Sequence, residues 1–210
     1  MGCGKVKIKI CGITNTEDAH KAVELGADAL GFIFAPSPRK ISPEDASEII
    51  IDLPPFVKTV GVFVNEDLQV IKNIIGQCGL DIVQLHGNES PDLCNKFMPR
   101  TIKALRVKDH SMPDRIIDYK GKVRAFLLDT YSPDKAGGTG KTFNWDMALK
   151  INEYGIPIIL AGGIGPSNVE EALSMVKPYG LDISSGIEEI PGKKDHKLME
   201  ELFEKIRSFS

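Results

Sequence analysis

The chain has 210 residues, of which 42% are hydrophobic, so it is long enough and apolar enough to form one domain with a substantial core. Its 26 basic and 29 acidic side chains give a formal net charge of -3, and this balance argues against nucleic acid as a partner. No apolar run is long enough to cross a membrane, and the N-terminus lacks the hydrophobic core of a signal peptide. We therefore expect a cytoplasmic protein with a single domain over residues 1–210.

The four cysteines, Cys3, Cys11, Cys78 and Cys94, are widely spaced and are not accompanied by clustered histidines. This spacing does not match a zinc site, and a chain of this length does not need disulfide bonds to stabilise its core. We expect free thiols in a reducing compartment, with no metal ion.

Eight short apolar runs recur along the chain, and several of them lack the alternation of a half-exposed strand. Such runs are typical of parallel strands that are covered on both faces. The predicted strands are Val6–Cys11, Ala29–Phe34, Thr59–Val64, Ile82–Leu85, Ile102–Val107, Val123–Asp129, Ile158–Ala161 and Leu181–Ser184.

Segments with helical periodicity, such as Leu68–Cys78, separate these runs. The pairs Ser42–Pro43, Ser90–Pro91 and Gly165–Pro166 are typical of helix starts, where a capping residue precedes proline. Eight strand-helix units without a linker favour a closed (β/α)8 barrel, known as a TIM barrel, over an open doubly wound sheet. In such barrels the chemistry is located on the loops that follow the strands.

Ala161–Ser167, after strand seven, contains three glycines, and Asp182–Gly186, after strand eight, ends in a glycine. Glycine allows the backbone to approach an anion, and these two loops are where barrels of this class bind phosphate. The alternative is that the glycines only form tight turns. The joint occurrence favours a phosphate site formed by Gly162, Gly163, Ser184, Ser185 and Gly186.

Cys11 and Asp129 end the first and sixth strands, so they should face each other across the barrel mouth. A partly exposed thiol near cations has a lowered pKa and can act as a base. A carboxyl group at the end of an apolar strand is partly desolvated, which raises its pKa and suits a general acid. The alternatives are an inert buried cysteine and an aspartate that braces a loop.

Three further residues are candidates for substrate binding. Arg39, on a proline-stiffened loop after the second strand, is suited to a bidentate contact with a carboxylate, unless it is a solvated surface residue. His86, after the fourth strand, is either a substrate contact or a hydrogen-bonded structural residue. Lys141 lies in the long loop 130–143; Gly140–Thr142 matches only the end of a P-loop, so we expect a loop that closes over the site.

Seven motifs in chain order resemble the phosphoribosylanthranilate isomerase family over almost the whole chain. They are Lys9–Thr14, Ser37–Arg39, Gln84–Gly87, Leu128–Asp129, Gly137–Phe143, Leu160–Ile164 and Asp182–Glu188. The resemblance implies an Amadori rearrangement of N-(5-phosphoribosyl)anthranilate to 1-(2-carboxyphenylamino)-1-deoxyribulose 5-phosphate in L-tryptophan biosynthesis, with no cofactor.

The same resemblance implies a role for each matching residue. Cys11 is the general base, Asp129 is the general acid, and Arg39 binds the anthranilate carboxylate. The alternatives are another phosphate-handling barrel, such as indoleglycerol-phosphate synthase or a pentose-phosphate epimerase, and a noncatalytic phosphate- or nucleotide-binding module. The sequence leaves open whether the protein is a monomer or a homodimer.

Overall fold

The structure is a computed structural model that describes residues 5–106, 116–129, 148, 151 and 154–209. Eight parallel strands form a closed barrel in chain order, and the first strand pairs with the eighth. The strands are β1 Lys7–Cys11, β2 Ala29–Ile33, β3 Lys58–Phe63, β4 Ile82–Leu85, β5 Thr101–Arg106, β6 Ala125–Asp129, β7 Ile158–Ala161 and β8 Gly180–Ile183. The predicted barrel is confirmed, and each predicted strand overlaps an observed one.

Helices cover the outside of the barrel. Those whose full bounds lie within the described residues are α1 Thr16–Leu25, α2 Pro43–Ile51, α3 Leu68–Cys78, α4 Pro91–Asn95, α5 Val169–Val176 and α6 His196–Phe209, with a short 3-10 helix at Ile116–Tyr119. Ser42 and Ser90 cap α2 and α4 as predicted, because each side chain accepts a hydrogen bond from an amide of the first turn.

The predicted helix start at Gly165–Pro166 is wrong. These two residues belong to the turn before α5, and Asn168 occupies the N-cap position. The Asn168 side chain accepts a hydrogen bond from Gly165 N at 2.9 Å and donates to Gly163 O at 3.0 Å. Asn168 therefore closes the turn, and the helix begins after it at Val169.

The barrel interior has an apolar part and a polar part. The apolar part is a cluster of Ile102, Ala104, Ala125, Leu127, Ile159 and Ala161, which come from β5, β6 and β7. The polar part is formed by Lys9 of β1, Gln84 of β4 and Asp182 of β8, all of which are buried. Since strand residues alternate between faces, Cys11 and Asp129 point to the same interior as Lys9 and Leu127.

A two-stranded antiparallel hairpin, β9 Glu188–Ile190 and β10 Lys193–Lys194, follows a 3-10 turn at Ser185–Ile187 after β8. The sequence did not predict this hairpin. It lies at the barrel mouth, because the buried side chain of Lys194 donates a hydrogen bond to Cys11 O at 2.6 Å.

Within the described ranges, no helix is long and apolar enough to span a membrane, and no cluster of metal-ligating side chains is found. Cys11, Cys78 and Cys94 carry free thiols, as predicted, and Cys3 lies outside the described residues.

Candidate active site

Cys11 lies at the C-terminal end of β1, as predicted, but its predicted partial exposure is wrong. Only 4% of the residue is exposed. Burial raises the pKa of the thiol and the nearby Asp182 carboxylate raises it further, while Lys9 and Lys194 oppose this shift. The predicted cations are therefore present, but alone they do not produce a low pKa in this buried position.

Lys9 contacts the thiol directly from the same strand. Its Nζ donates a hydrogen bond to Cys11 Sγ at 3.2 Å and another to Gln84 Oε1 at 2.8 Å, and it lies 2.9 Å from Asp182 Oδ1. Burial opposes the charge on Lys9, but the carboxylate of Asp182 and the sulfur of Cys11 raise the lysine pKa above its ordinary value. The lysine is therefore a charged ammonium group at neutral pH.

The hydrogen bonds continue from Gln84 to the proposed acid. Gln84 Nε2 lies 3.2 Å from His86 Nδ1, and His86 Nε2 lies 3.1 Å from Asp129 Oδ2. The chain of contacts thus runs from Cys11 through Lys9, Gln84 and His86 to Asp129. It connects the ends of β1 and β6 across the barrel.

This chain also defines the tautomer of His86. A lysine ammonium can only donate hydrogen bonds, so the oxygen of the Gln84 amide faces Lys9 and the amide nitrogen faces the imidazole. His86 Nδ1 then accepts, and Nε2 carries the proton that is donated to Asp129. Of the two interpretations of His86, this geometry favours the hydrogen-bonded residue that orients another side chain.

Asp129 has an intermediate exposure of 23% of its side chain. It ends β6 directly after the buried residues Phe126, Leu127 and Leu128, so its carboxyl group is partly desolvated, as predicted.

Arg39 binds a carboxylate within the chain itself. Its Nε donates to Glu188 Oε1 at 2.8 Å and its Nη2 donates to Glu188 Oε2 at 2.6 Å. The stem of Arg39 crosses Gly12, where a β-carbon would lie 2.7 Å from Arg39 Cδ and where φ is +76°. Both the close contact and the positive φ require glycine at this position.

Lys194 connects the hairpin to the base. Its side chain is fully buried, and Nζ contacts Glu188 Oε1 at 2.8 Å as well as Cys11 O. Burial opposes the charge on Glu188, but Arg39 and Lys194 lower the pKa of this carboxyl group. Glu188 is thus a buried anion that fixes the position of the Arg39 guanidinium.

The two loops of the predicted phosphate site, after β7 and β8, meet. A β-carbon on Gly186 would lie 2.0 Å from Ile164 O, and one on Gly165 would lie 2.7 Å from Gly186 O. Gly162 and Gly163 adopt positive φ values of 94° and 69°. The loops after β7 and β8 are therefore in close backbone contact, and Ser184 and Ser185 belong to the second of them.

Lys141 and the predicted closing loop lie outside the described residues. The sequence did not identify Lys9, Gln84, Asp182, Glu188 or Lys194 as site residues. A signal was present for three of them, because Lys9, Gln84 and Asp182 are polar residues inside otherwise apolar strands, where a side chain inside a closed barrel needs a polar partner.

The chain is similar to known proteins over nearly its whole length. The family model described as N-(5'phosphoribosyl)anthranilate (PRA) isomerase matches residues 8–205. The N-(5'-phosphoribosyl)anthranilate isomerase of Geotalea uraniireducens is 52% identical over 202 residues, which are 96% of this chain and 98% of that protein.

Two solved structures are also similar over 97% of this chain and 99% of theirs. One is a phosphoribosyl anthranilate isomerase in complex with reduced 1-(o-carboxyphenylamino)-1-deoxyribulose 5-phosphate, with a TM-score of 0.85 and 42% identity. The other is the Thermotoga maritima enzyme, described as monomers generated from a dimeric phosphoribosylanthranilate isomerase, with a TM-score of 0.85 and 41% identity.

Proposed function

Because the chain belongs to the N-(5'-phosphoribosyl)anthranilate isomerase family, we propose that Cys11 and Asp129 are the base and acid of this isomerisation. The aldose-ketose rearrangement in tryptophan biosynthesis needs one group that delivers a proton and one that removes a proton from the same small molecule. The observation that carries the assignment is the continuous chain of contacts between a thiol on β1 and a carboxyl group on β6.

The proposed reaction begins with proton transfer from Asp129 to the ring oxygen of the ribose. The C1–O bond breaks and the amine nitrogen supplies its electron pair, which forms a protonated imine. His86 Nε2–H donates to Asp129 Oδ2 at 3.1 Å, and this hydrogen bond stabilises the carboxylate that remains after the transfer.

Cys11 then acts as the base in its thiolate form. The thiolate takes the proton from sugar C2, and the electrons of that C–H bond form the C1=C2 bond while the imine electrons return to nitrogen. The resulting enolamine gains a proton at C1 and loses the C2 hydroxyl proton, which gives the aminoketose. Each of the two proton-handling groups contributes about a hundred- to ten-thousand-fold in rate.

Substrate binding uses the two anionic ends of the molecule. The phosphate group is held by the loops after β7 and β8, through Gly162, Gly163, Ser184, Ser185 and Gly186. Lys141, which lies outside the described residues, is a further proposed substrate contact. Arg39 binds the anthranilate carboxylate, and its fixed pairing with Glu188 holds the guanidinium in place. No nucleic acid, metal ion or cofactor takes part in this proposal.

The proposed assembly is a homodimer of one-domain chains in the cytosol. Phe56 and Ile51 are 94% and 82% exposed, at the end of the barrel opposite the active site. A surface depression of about 610 Å³ opens at the same end and is lined by the apolar side chains of Ile75, Leu80 and Ile82 and by the charged side chains of Lys58, Asp81 and Arg100. An exposed aromatic side chain at the end of the barrel that carries this depression supports a symmetric contact between two copies. Three free thiols support a reducing location.

The decay of phosphoribosylanthranilate fluorescence after addition of the purified chain tests the activity. We expect first-order decay that is much faster than the spontaneous reaction and that is proportional to enzyme concentration. No acceleration would contradict the proposal. A matched control is the Lys7→Met variant, since Lys7 is an exposed residue of the same strand as Cys11, paired with Asp28 at the opposite end of the barrel.

A further inference from the structure

The polar part of the barrel interior contains a buried pair of opposite charges. The ammonium of Lys9 and the carboxylate of Asp182 are only 6% and 7% exposed, and their contact of 2.9 Å is a buried ion pair. Burying such a pair is often no more stabilising than apolar packing of the same volume. The same barrel packs Leu127 and Ile159 against each other in its other part, so an apolar alternative exists in this fold.

The position of the ion pair points to a role in the site. Lys9 Nζ lies 3.2 Å from Cys11 Sγ, and a β-carbon added at Gly31 would lie 2.8 Å from both Sγ and Lys9 Cε. The neighbouring strand β2 therefore carries no side chain at the point where the lysine and the cysteine meet. A buried thiolate needs a partner of opposite charge, and Lys9 is the ammonium in direct contact with the sulfur.

On the premise that Cys11 is the base, we propose that Lys9 is a positioning residue that stabilises the Cys11 thiolate and that Asp182 holds Lys9 in place while limiting this effect. Through Gln84, the same ammonium also fixes the tautomer of His86 and so the hydrogen bond to Asp129. One buried lysine thus prepares both proton-handling groups.

Other charged groups also face the sulfur. Lys194 of the hairpin contacts Cys11 O, and its positive charge lowers the thiol pKa, but burial lowers the pKa of Lys194 itself. Glu188 contacts Lys194 Nζ and is itself paired with Arg39, so these two groups carry opposite charges next to Lys194. Asp182 raises the thiol pKa and Lys9 lowers it, so these two groups have opposite effects on the same atom.

Because Lys9 and Asp182 have opposite effects on the thiol, substitutions of the two residues should shift its ionisation in opposite directions. The ionisation of Cys11 is followed in the absence of substrate by the ultraviolet absorbance of the thiolate as pH is raised, using the difference between each variant and the same variant with Cys11→Ala. We expect Lys9→Met to raise the midpoint by about one to three pH units and Asp182→Asn to lower it by about one unit. The double variant should lie between the two single variants.

The same variants are assayed for isomerisation over a range of pH. The acidic limb of kcat/KM should move up with Lys9→Met and down with Asp182→Asn, and at neutral pH Lys9→Met should reduce kcat at least about tenfold with little change in KM. Lys7→Met, which removes a lysine two residues away on the same strand, should change neither property. A role in folding alone would not shift the Cys11 midpoint in opposite directions.

A Cys11 midpoint that is the same in Lys9→Met and in the unaltered chain would overturn the proposal. If Lys9→Met does not fold, as judged by circular dichroism, Asp182→Asn carries the test, and a midpoint that fails to fall overturns the proposal equally. The titration needs no turnover, so its failure is separate from failure of the proposed function. Full isomerase activity in Cys11→Ala would contradict the function of Cys11 as the base, whatever the titration gives.

Discussion

At the scale of single residues, the mechanism separates groups that handle protons from groups that bind substrate. We expect Cys11→Ala and Asp129→Asn each to reduce kcat at least about a hundredfold with little change in KM, because the interactions they remove are made in the transition state. Arg39→Ala should mainly raise KM, since its contact with a carboxylate is present in the bound ground state. Steady-state kinetics with the fluorescent substrate measures all three.

Equal losses of kcat in all three variants would contradict these roles. The control for Arg39→Ala is Arg39→Lys, which keeps the charge but loses the bidentate geometry that the guanidinium forms with Glu188. It should recover little of the lost affinity if the planar geometry matters, and most of it if charge alone is sufficient.

The sequence was sufficient to place Cys11 and Asp129 at the C-terminal ends of β1 and β6, because a polar residue that ends an apolar run has a known position in a barrel. It was insufficient for Lys9 and Asp182, whose pairing joins residues at opposite ends of the chain. Their contact arises only when β1 pairs with β8 to close the barrel. The burial of Cys11 could not be predicted from the sequence either, because residues distant in the chain, such as Lys194, cover it only in the folded barrel.

At the scale of elements, the strands were predicted more accurately than the connections between them. Each strand is covered on both faces, so its apolar run is a strong signal. The hairpin of β9 and β10 was missed because its strands have only three and two residues and its fixed position depends on Lys194 and Glu188. The start of α5 was misplaced because Asn168, rather than Pro166, completes the preceding turn.

The loop after β4, which presents His86, depends on a second buried ion pair. Lys103 and Glu89 are 3% and 1% exposed at their side chains and lie 3.0 Å apart. Lys103 also donates to Gly87 O at 2.7 Å, and Glu89 accepts from Gly87 N at 2.9 Å. We expect Glu89→Ala to lower the free energy of unfolding by about 3–5 kcal/mol, because it leaves an unpaired buried ammonium.

This loss should depend on pH in a defined direction. Burial opposes the charge on Glu89, but the Asn65 amide and Lys103 lower the pKa of its carboxyl group below the ordinary value of 4.5. A lowered pKa means that the stabilisation is fully present above the ordinary value and is lost as pH falls through the folded-state value. Denaturant unfolding at neutral and acidic pH tests this.

The control for Glu89→Ala is Asp92→Ala, which removes the 87% exposed partner of Lys122 and should change the free energy of unfolding little. If Glu89→Ala is as mild as this control, or if its effect persists unchanged in acid, the ion pair does not stabilise the loop. Either result would also remove the structural reason for the fixed position of His86.

At the scale of the whole molecule, the two ends of the barrel have different tasks. The C-terminal ends of the strands carry the site, whereas the N-terminal ends expose Phe56 and the depression near Leu80. In a symmetric dimer each Phe56 would be buried by the other copy, so one substitution removes two apolar contacts. At about 1.5–3 kcal/mol for each phenylalanine, Phe56→Ser should weaken dimerisation at least about a hundredfold.

Sedimentation velocity over a range of concentrations measures this weakening. The unaltered chain should sediment with the mass of two chains, and Phe56→Ser should sediment with the mass of one at the same concentration. Phe209→Ser, which removes a 46% exposed phenylalanine from the end of α6, should leave the dimer intact. Two outcomes would show that this end of the barrel does not pair two copies: a single-chain mass for the unaltered protein, or a dimer that survives the substitution. Because the proposed site lies at the opposite end of each barrel, the separated Phe56→Ser chain should keep its kcat and KM.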